Sequence, residues 1–203
     1  MHKIAINIKV VLFSCTEKSV LVFLHKDALP KGEPLIDESI DGAVKRIVQK
    51  TAGIQLKDDY IEQLYTYSSL EKGIRQVTVT YYVLIPYFCF HDSAYSFWHE
   101  LSHVKIIHAE KKIIDYAVQR LQWKLEYTNV VYSLLQEQFT LGDLQRIYEA
   151  ILNKSLDKRN FRKKILSLKL LKPTSSIRKG EKSRPARLYS FIKRHPVITN
   201  IFS

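Results

Sequence analysis

The chain has 203 residues, 46% hydrophobic and 26% charged, a globular composition with room for one sizeable domain or two small ones. Its two cysteines, Cys15 and Cys89, cannot supply a disulfide framework or a zinc finger, which excludes a small secreted scaffold and leads to the expectation of a reducing compartment, the cytoplasm. The net charge of +12 lies in the last third: residues 1–139 hold 16 Lys and Arg against 16 Asp and Glu, and residues 140–203 hold 16 against 4.

A neutral body with a basic C-terminal unit calls for an anionic partner for that unit, nucleic acid ahead of a membrane surface. The longest apolar stretch, 77–90, is interrupted by Thr78, Thr80 and Pro86 and is shorter than the roughly 18 apolar residues of a membrane span. No membrane partner is therefore expected.

In chain order, alternating Ile4, Ile6, Ile8 and Val10 predict a half-buried strand from Ile4 to Phe13, followed by strands at Val20–Leu24, Ile61–Ser68 and Val77–Ile85. A helix from about Ser39 to Ala52 turns Ile40, Ala43, Val44, Ile47 and Val48 inward and places Gly53 where a C-terminal glycine belongs. A longer helix, His108–Tyr127, repeats Ile113, Ile114, Ala117, Val118, Leu121 and Leu125. It leads into the basic unit as a connector and is a candidate dimer seam.

Thr140, with Asp143 three residues later, has the form of a capping box, and Leu141, Leu144, Ile147, Tyr148, Ile151 and Leu152 follow at helical spacing. Asp157 caps a second helix through about Leu168, with Phe161, Ile165 and Leu168 inward. Short strands are expected at Lys169–Pro173 and Ala186–Phe191, joined by a polar basic hairpin from Thr174 to Pro185. Helix, short turn, cationic helix and β-hairpin is the order of a winged helix-turn-helix. Residues 158–172 carry seven cations and no anion, unlike an ordinary surface, where both signs interleave.

This assigns the DNA contacts. Arg159, Asn160 and Arg162 are expected at base edges; Lys163 and Lys164 and the wing residues Arg178, Lys179, Arg184 and Arg187 are expected at phosphates, and Lys158 is a further expected DNA contact. Arg187 has a second reading, bracing its strand. Tyr148 and Tyr189 are read as core. His99, His103 and His108 lack a matching carboxylate or cysteine spacing, so they are read as a polar loop, and neither metal nor cofactor is expected.

Residues 32–54 resemble a Nudix box, G-x5-E-x7-R-E-U-x-E-E-x-G-U, through Gly32, Glu38, Arg46, Val48, Gly53 and Ile54. Ile47, Lys50 and Thr51 stand at its three remaining acidic positions. In that family the glutamates hold a divalent metal against a diphosphate, so the departure implies a box without hydrolysis. The same segment also reads as an amphipathic helix closed by glycine. Trp98-His99-Glu100-Leu101 and the strand from Gln76 to Ile85 resemble later parts of Nudix domains.

From Ile4 to about Phe191, nearly the whole chain, the sequence resembles the Nudix-related transcriptional regulators of the NrtR type. The resemblance is most specific at Phe139-Thr140-Leu141, Leu144-Gln145, Tyr148-Glu149, Asp157 to Lys164 and Arg184 to Tyr189, with Leu125 to Thr128 in the connector. It implies an α+β chain: a Nudix-like α/β/α sandwich with a mixed sheet over 1–128, a linker at 129–139, a winged helix-turn-helix at 140–195 and a tail at 196–203.

It further implies a homodimer on a palindromic operator of double-stranded DNA, most simply a repressor, whose Nudix domain senses ADP-ribose or a related nucleotide or sugar. Glu38, Arg46 and Arg75 are the candidate effector contacts; Arg75 reads equally as a phosphate grip or a solvated turn residue. The competing functions are a working Nudix pyrophosphohydrolase with a basic accessory domain, and an RNA-binding or scaffold protein.

Overall fold

The computed structural model describes residues 4–57, 59–87, 96–104, 108–179, 185–199 and 201. Two compact units divide it: 1–13, 21–85 and 89–117 form the first, and 14–20, 86–88 and 118–203 the second. The division falls inside the connector helix, between Ala117 and Val118.

The first unit is built on a six-stranded mixed sheet. Its strands are β1 (Ile4–Cys15), β2 (Val20–Phe23), β3 (Lys31–Gly32), β4 (Tyr60–Glu71), β5 (Ile74–Leu84) and β6 (Trp98–Glu100), in the order β4-β5-β1-β2-β6 with β3 paired to β1. β1 and β5 run parallel from Ile4 opposite Arg75 to Phe13 opposite Leu84, and both are buried at that far end. β4 and β5 extend further than the hydrophobic pattern predicts. They form one long hairpin closed by Lys72 and Gly73, both with positive φ (49° and 78°), a turn whose twist matches that of paired strands.

Helix α1 (Ile40–Ala52) forms where the sequence places it. The Ser39 side chain caps the Gly42 N–H, and Gly53 ends the helix in the left-handed conformation at φ 70°. Its Ala43, Val44, Ile47 and Val48 are buried in one cluster with Ile8, Val10, Leu12, Tyr81 and Val83, which all lie on one sheet face. Residues of the opposite face meet α2 (His108–Tyr127): the Lys9 ammonium pairs with Glu110 at 3.1 Å, and Tyr65 meets Tyr116 edge-on at 5.2 Å. The unit is an α/β/α sandwich.

The second unit contains α3 (Leu141–Leu152), α4 (Lys158–Ser167), β7 (Leu171–Arg178) and β8 (Ala186–Phe191). β7 begins two residues later than expected because Lys169, at φ 54°, turns the chain out of α4; it then continues to Arg178 in what had been read as hairpin. Segment 129–139, expected to be a linker, holds a 3-10 helix (Val130–Leu134) with all five residues buried. Segment 196–203, expected to be a tail, is tied by its described residues to the end of α2: Thr199 N donates to the Tyr127 carbonyl at 2.8 Å, and Ile201 N to that of Glu126 at 3.0 Å. Among the described residues no helix is long and apolar enough to cross a membrane.

Candidate nucleic-acid interface and the Nudix-like loop

The helix-turn-helix is fixed by side chains bonded to backbone. At the start of α3, Thr140 Oγ1 accepts from Asp143 N (3.1 Å) and Asp143 Oδ2 accepts from Thr140 N (2.8 Å), the reciprocal capping box. α3 ends at Asn153 in the left-handed region, where a short amide side chain is tolerated. The turn beyond it is held from α3: Glu149 Oε1 accepts from Leu156 N at 2.8 Å, and Gln145 Nε2 donates to the Leu156 carbonyl at 2.9 Å. Asp157 then caps α4 through Asn160 N at 2.8 Å.

α4 is anchored by Phe161 and Ile165, both buried, with Phe161 edge-on to the fully buried Tyr148 at 5.4 Å. Burying two such side chains contributes about 3 to 6 kcal/mol, enough to hold a ten-residue helix whose other faces are polar. Lys158, Arg159, Asn160, Arg162 and Lys163 are exposed, and Lys164 is half-buried. At 100° per residue, Arg159, Lys163 and the exposed Leu166 lie opposite Phe161, while Arg162 lies to one side.

That side opens on a groove of about 930 Å³, lined by Thr140 and Gly142 at the start of α3, Lys158 and Arg162 of α4, and Arg178 and Arg187 of the wing. Of the expected wing cations, Lys179 and Arg187 are exposed, while Arg184 lies outside the described residues. Arg178 is engaged inside the domain: its guanidinium meets Asp143 Oδ2 at 2.8 Å. Asp143 Oδ1 takes Arg146 at 2.6 Å, and Arg146 also reaches Glu17 at 2.9 Å. One carboxylate thus caps α3 and ties down the end of β7. Sequence reasoning found its capping role from spacing but could not see Arg178, 35 positions away.

In the first unit, Glu38 and Arg46 come together as a brace. Arg46 Nε donates to both Glu38 carboxylate oxygens (3.2 and 3.0 Å), and its NH2 donates to Glu38 and to the Glu33 carbonyl (2.8 Å). The hydrogen bond from Arg46, followed by that from Leu35 N, holds the Glu38 carboxyl below its ordinary range. These two expected effector contacts therefore close the 33–38 loop on α1. Arg75 is exposed at the start of β5, 3.4 Å from the Ser68 hydroxyl and in register with the exposed Ile4 and Leu70.

Ile47 is buried in the core cluster. A Cβ added at Gly32 would lie 3.1 Å from its side chain, so glycine is what lets β3 approach the helix. Lys50 is exposed, and the Thr51 hydroxyl donates to the Ile47 carbonyl. Among the described residues no group of three or more His, Cys, Asp or Glu is arranged to hold a metal.

Residues 131–191 match the family described as the NrtR DNA-binding winged helix domain. The structure is similar to Shewanella oneidensis NrtR complexed with a 27mer DNA, with a TM-score of 0.76 at 28% identity over 92% of this chain and 93% of that one. A MutT/nudix family protein from Enterococcus faecalis shares the fold, with a TM-score of 0.66 at 20% identity over 94% of this chain and 87% of the other. The ADPR responsive transcriptional repressor NtrR of Acinetobacter baylyi is 30% identical over 158 residues, which cover 73% of this chain and 62% of the repressor's length. Residues 131–191 thus match an NrtR-type DNA-binding winged helix, and the chain as a whole, a Nudix-like sandwich followed by that winged helix, is similar in fold to Shewanella oneidensis NrtR.

Proposed function

We propose that the protein is a DNA-binding transcriptional repressor, acting in the cytoplasm as a homodimer on a palindromic operator, whose Nudix-like domain of about residues 1–128 senses a small metabolite and does not hydrolyse it. The observation that carries the reading is the outward face of α4: five exposed polar side chains, four of them cationic, on a helix whose opposite side is locked by Phe161 and Ile165. A helix of this kind fits the major groove, and the adjoining groove at the start of α3 fits a phosphate strand. Arg159 and Lys163 then face base edges with Asn160 beside them, while Lys158, Arg162, Lys179 and Arg187 serve phosphates; Lys163 and Arg162 exchange the roles expected from the sequence, because Lys163 lies opposite Phe161 and Arg162 to one side. The similarity to a regulator complexed with DNA supports the same partner.

The effector is ADP-ribose or a related nucleotide or sugar, a choice supported by the similarity to an ADPR responsive repressor. The box residues do not fit a catalytic metal. Magnesium binds through carboxylates and water, but Ile47 is apolar and buried, Lys50 is cationic and the Thr51 hydroxyl is turned onto its own helix. The pyrophosphohydrolase reading lacks its ligands there.

The test has two parts. DNA retained by the purified protein is sequenced and its commonest palindrome used as operator; ADP-ribose is then titrated calorimetrically with and without that duplex. The reading expects ADP-ribose to lower operator affinity, and operator to lower ADP-ribose affinity, by the same factor. Equal ADP-ribose affinities in the two titrations would remove the sensor, and steady magnesium-dependent turnover of ADP-ribose would remove the claim of an inactive box.

A further inference from the structure

The matched winged helix ends at residue 191, but the chain beyond it makes an ordered set of bonds. Arg194 NH2 donates to the carbonyls of Tyr132 (2.7 Å) and Leu135 (2.9 Å), closing the end of the 3-10 helix. Asn129, two residues past the end of α2 and 1% exposed, donates to the carbonyls of Lys193 (3.3 Å) and His195 (3.2 Å) and accepts from Val197 N at 2.7 Å. Thr199 N and Ile201 N take the carbonyls of Tyr127 and Glu126, among the last four of α2, which no intrahelical donor reaches. Ile201 is 1% exposed and lines a groove of about 260 Å³ with Asn160, Phe161, Lys164 and Ile165 of α4.

One run of chain therefore bonds the C-terminal end of the connector helix and packs beside the helix that reads DNA. We propose that residues 192–199 and 201 are a positioning strap: they hold α4 against the end of α2, with Asn129 and Ile201 as positioning residues for DNA reading. The inference rests on the regulator reading above. Physically, bonded backbone fixes the strap to α2, and Ile201 fixes α4 to the strap. A shift at the connector's end then moves α4 rather than being lost in a free tail. Loosening the strap removes no phosphate-facing cation from the chain but widens the range of positions α4 adopts.

The test uses the full chain carrying Ile201→Ala and, separately, a chain ending at residue 197, with circular dichroism to establish folding. Hydrogen exchange of the α4 amides, residues 158–167, is measured without DNA. The strap predicts exchange at least tenfold faster there in both variants. If α4 is correctly placed in about a tenth of the molecules, operator affinity falls about tenfold. Affinity for scrambled duplex and the salt slope stay unchanged. Exchange in α4 within twofold of wild type in Ile201→Ala overturns the strap, and if the shortened chain unfolds, Ile201→Ala alone decides. If wild-type protein prefers no duplex, the regulator reading has failed, and the exchange measurement still decides whether the strap holds α4.

Discussion

The box loop of the first unit and the helix-turn-helix of the second both match family motifs, but they do so with different kinds of residue. In the loop, the scaffold is present: Gly32 admits Ile47, Gly53 ends α1, and Arg46 binds Glu38. In the proposed reading, Ile47, Lys50 and Thr51 stand where a working box would carry its acids. In the helix-turn-helix, the scaffold and the outward chemistry are both in place, from the Thr140–Asp143 cap to Arg159 and Lys163. The contrast separates shape from charge: a packed frame persists on apolar contacts and one ion pair, whereas a metal site needs several carboxylates at once.

The largest effect expected from probing this contrast comes from restoring a glutamate. Ile47→Glu would bury a carboxylate beside Gly32 and the apolar cluster, so it should cost about 3 kcal/mol or more in urea unfolding and still give no hydrolysis. A stable, hydrolytically active variant would show that the box is only one residue from catalysis. Asp143→Ala removes the Asp143 half of the α3 capping box, leaving the Thr140 hydroxyl on the residue 143 N–H, and releases Arg178. Because Arg146 and Arg178 are each more than a third exposed, their ion pairs add little, and the loss should be about 1 kcal/mol, mainly from the cap, read as a lowered Tm.

Arg178 and Arg162 sharpen the second half of the comparison. Arg162→Ala should make the salt dependence of DNA binding shallower by about one unit, as a lost phosphate contact does. Arg178→Ala, whose guanidinium is occupied by Asp143, should change it by less than half of that. Equal slopes for the two variants would place Arg178 on the DNA.

The smallest effect is the pH dependence of the loop brace. The Glu38 carboxyl is held below its ordinary value of 4.5 by the Arg46 hydrogen bond, so its contribution is complete above that pH and is lost as pH falls through the lowered value. The Leu35 amide, which donates to Glu38 at 2.8 Å, should stay protected at pH 5 and open as pH falls through the lowered Glu38 value. Glu38→Gln should flatten that titration; an unchanged profile would assign the opening to another group.

The parts legible in the sequence were those set by neighbours along the chain. The Thr140 and Asp157 caps and the Gly53 terminus each depend on residues within four positions, and all formed as read; Ser39, read as the first residue of its helix, is instead its cap. The parts that escaped depend on distant partners. The 3-10 helix at Val130–Leu134 is too short for periodicity, and its end is closed by Arg194 at a separation of 62. Within the expected tail, Val197 is bonded to Asn129, 68 positions away. β3, two residues long, is recognisable only by its pairing with Ile8 and Lys9. The site was legible as a set of cations, but which of them face outward was not, since Arg178 and Lys164 look like the others until folding engages one and half-buries the other.

The account rests on α4 reading DNA, and an anisotropy titration of the Arg159→Ala, Lys163→Ala double variant tests it most directly, against operator and scrambled duplexes at several salt concentrations, with folding verified. Both residues lie opposite the buried Phe161 and make no contribution to the core. The account predicts a folded protein that loses about 2 to 6 kcal/mol of preference for operator over scrambled sequence while retaining weak, salt-dependent binding to both. A folded double variant with wild-type affinity and wild-type preference would contradict it.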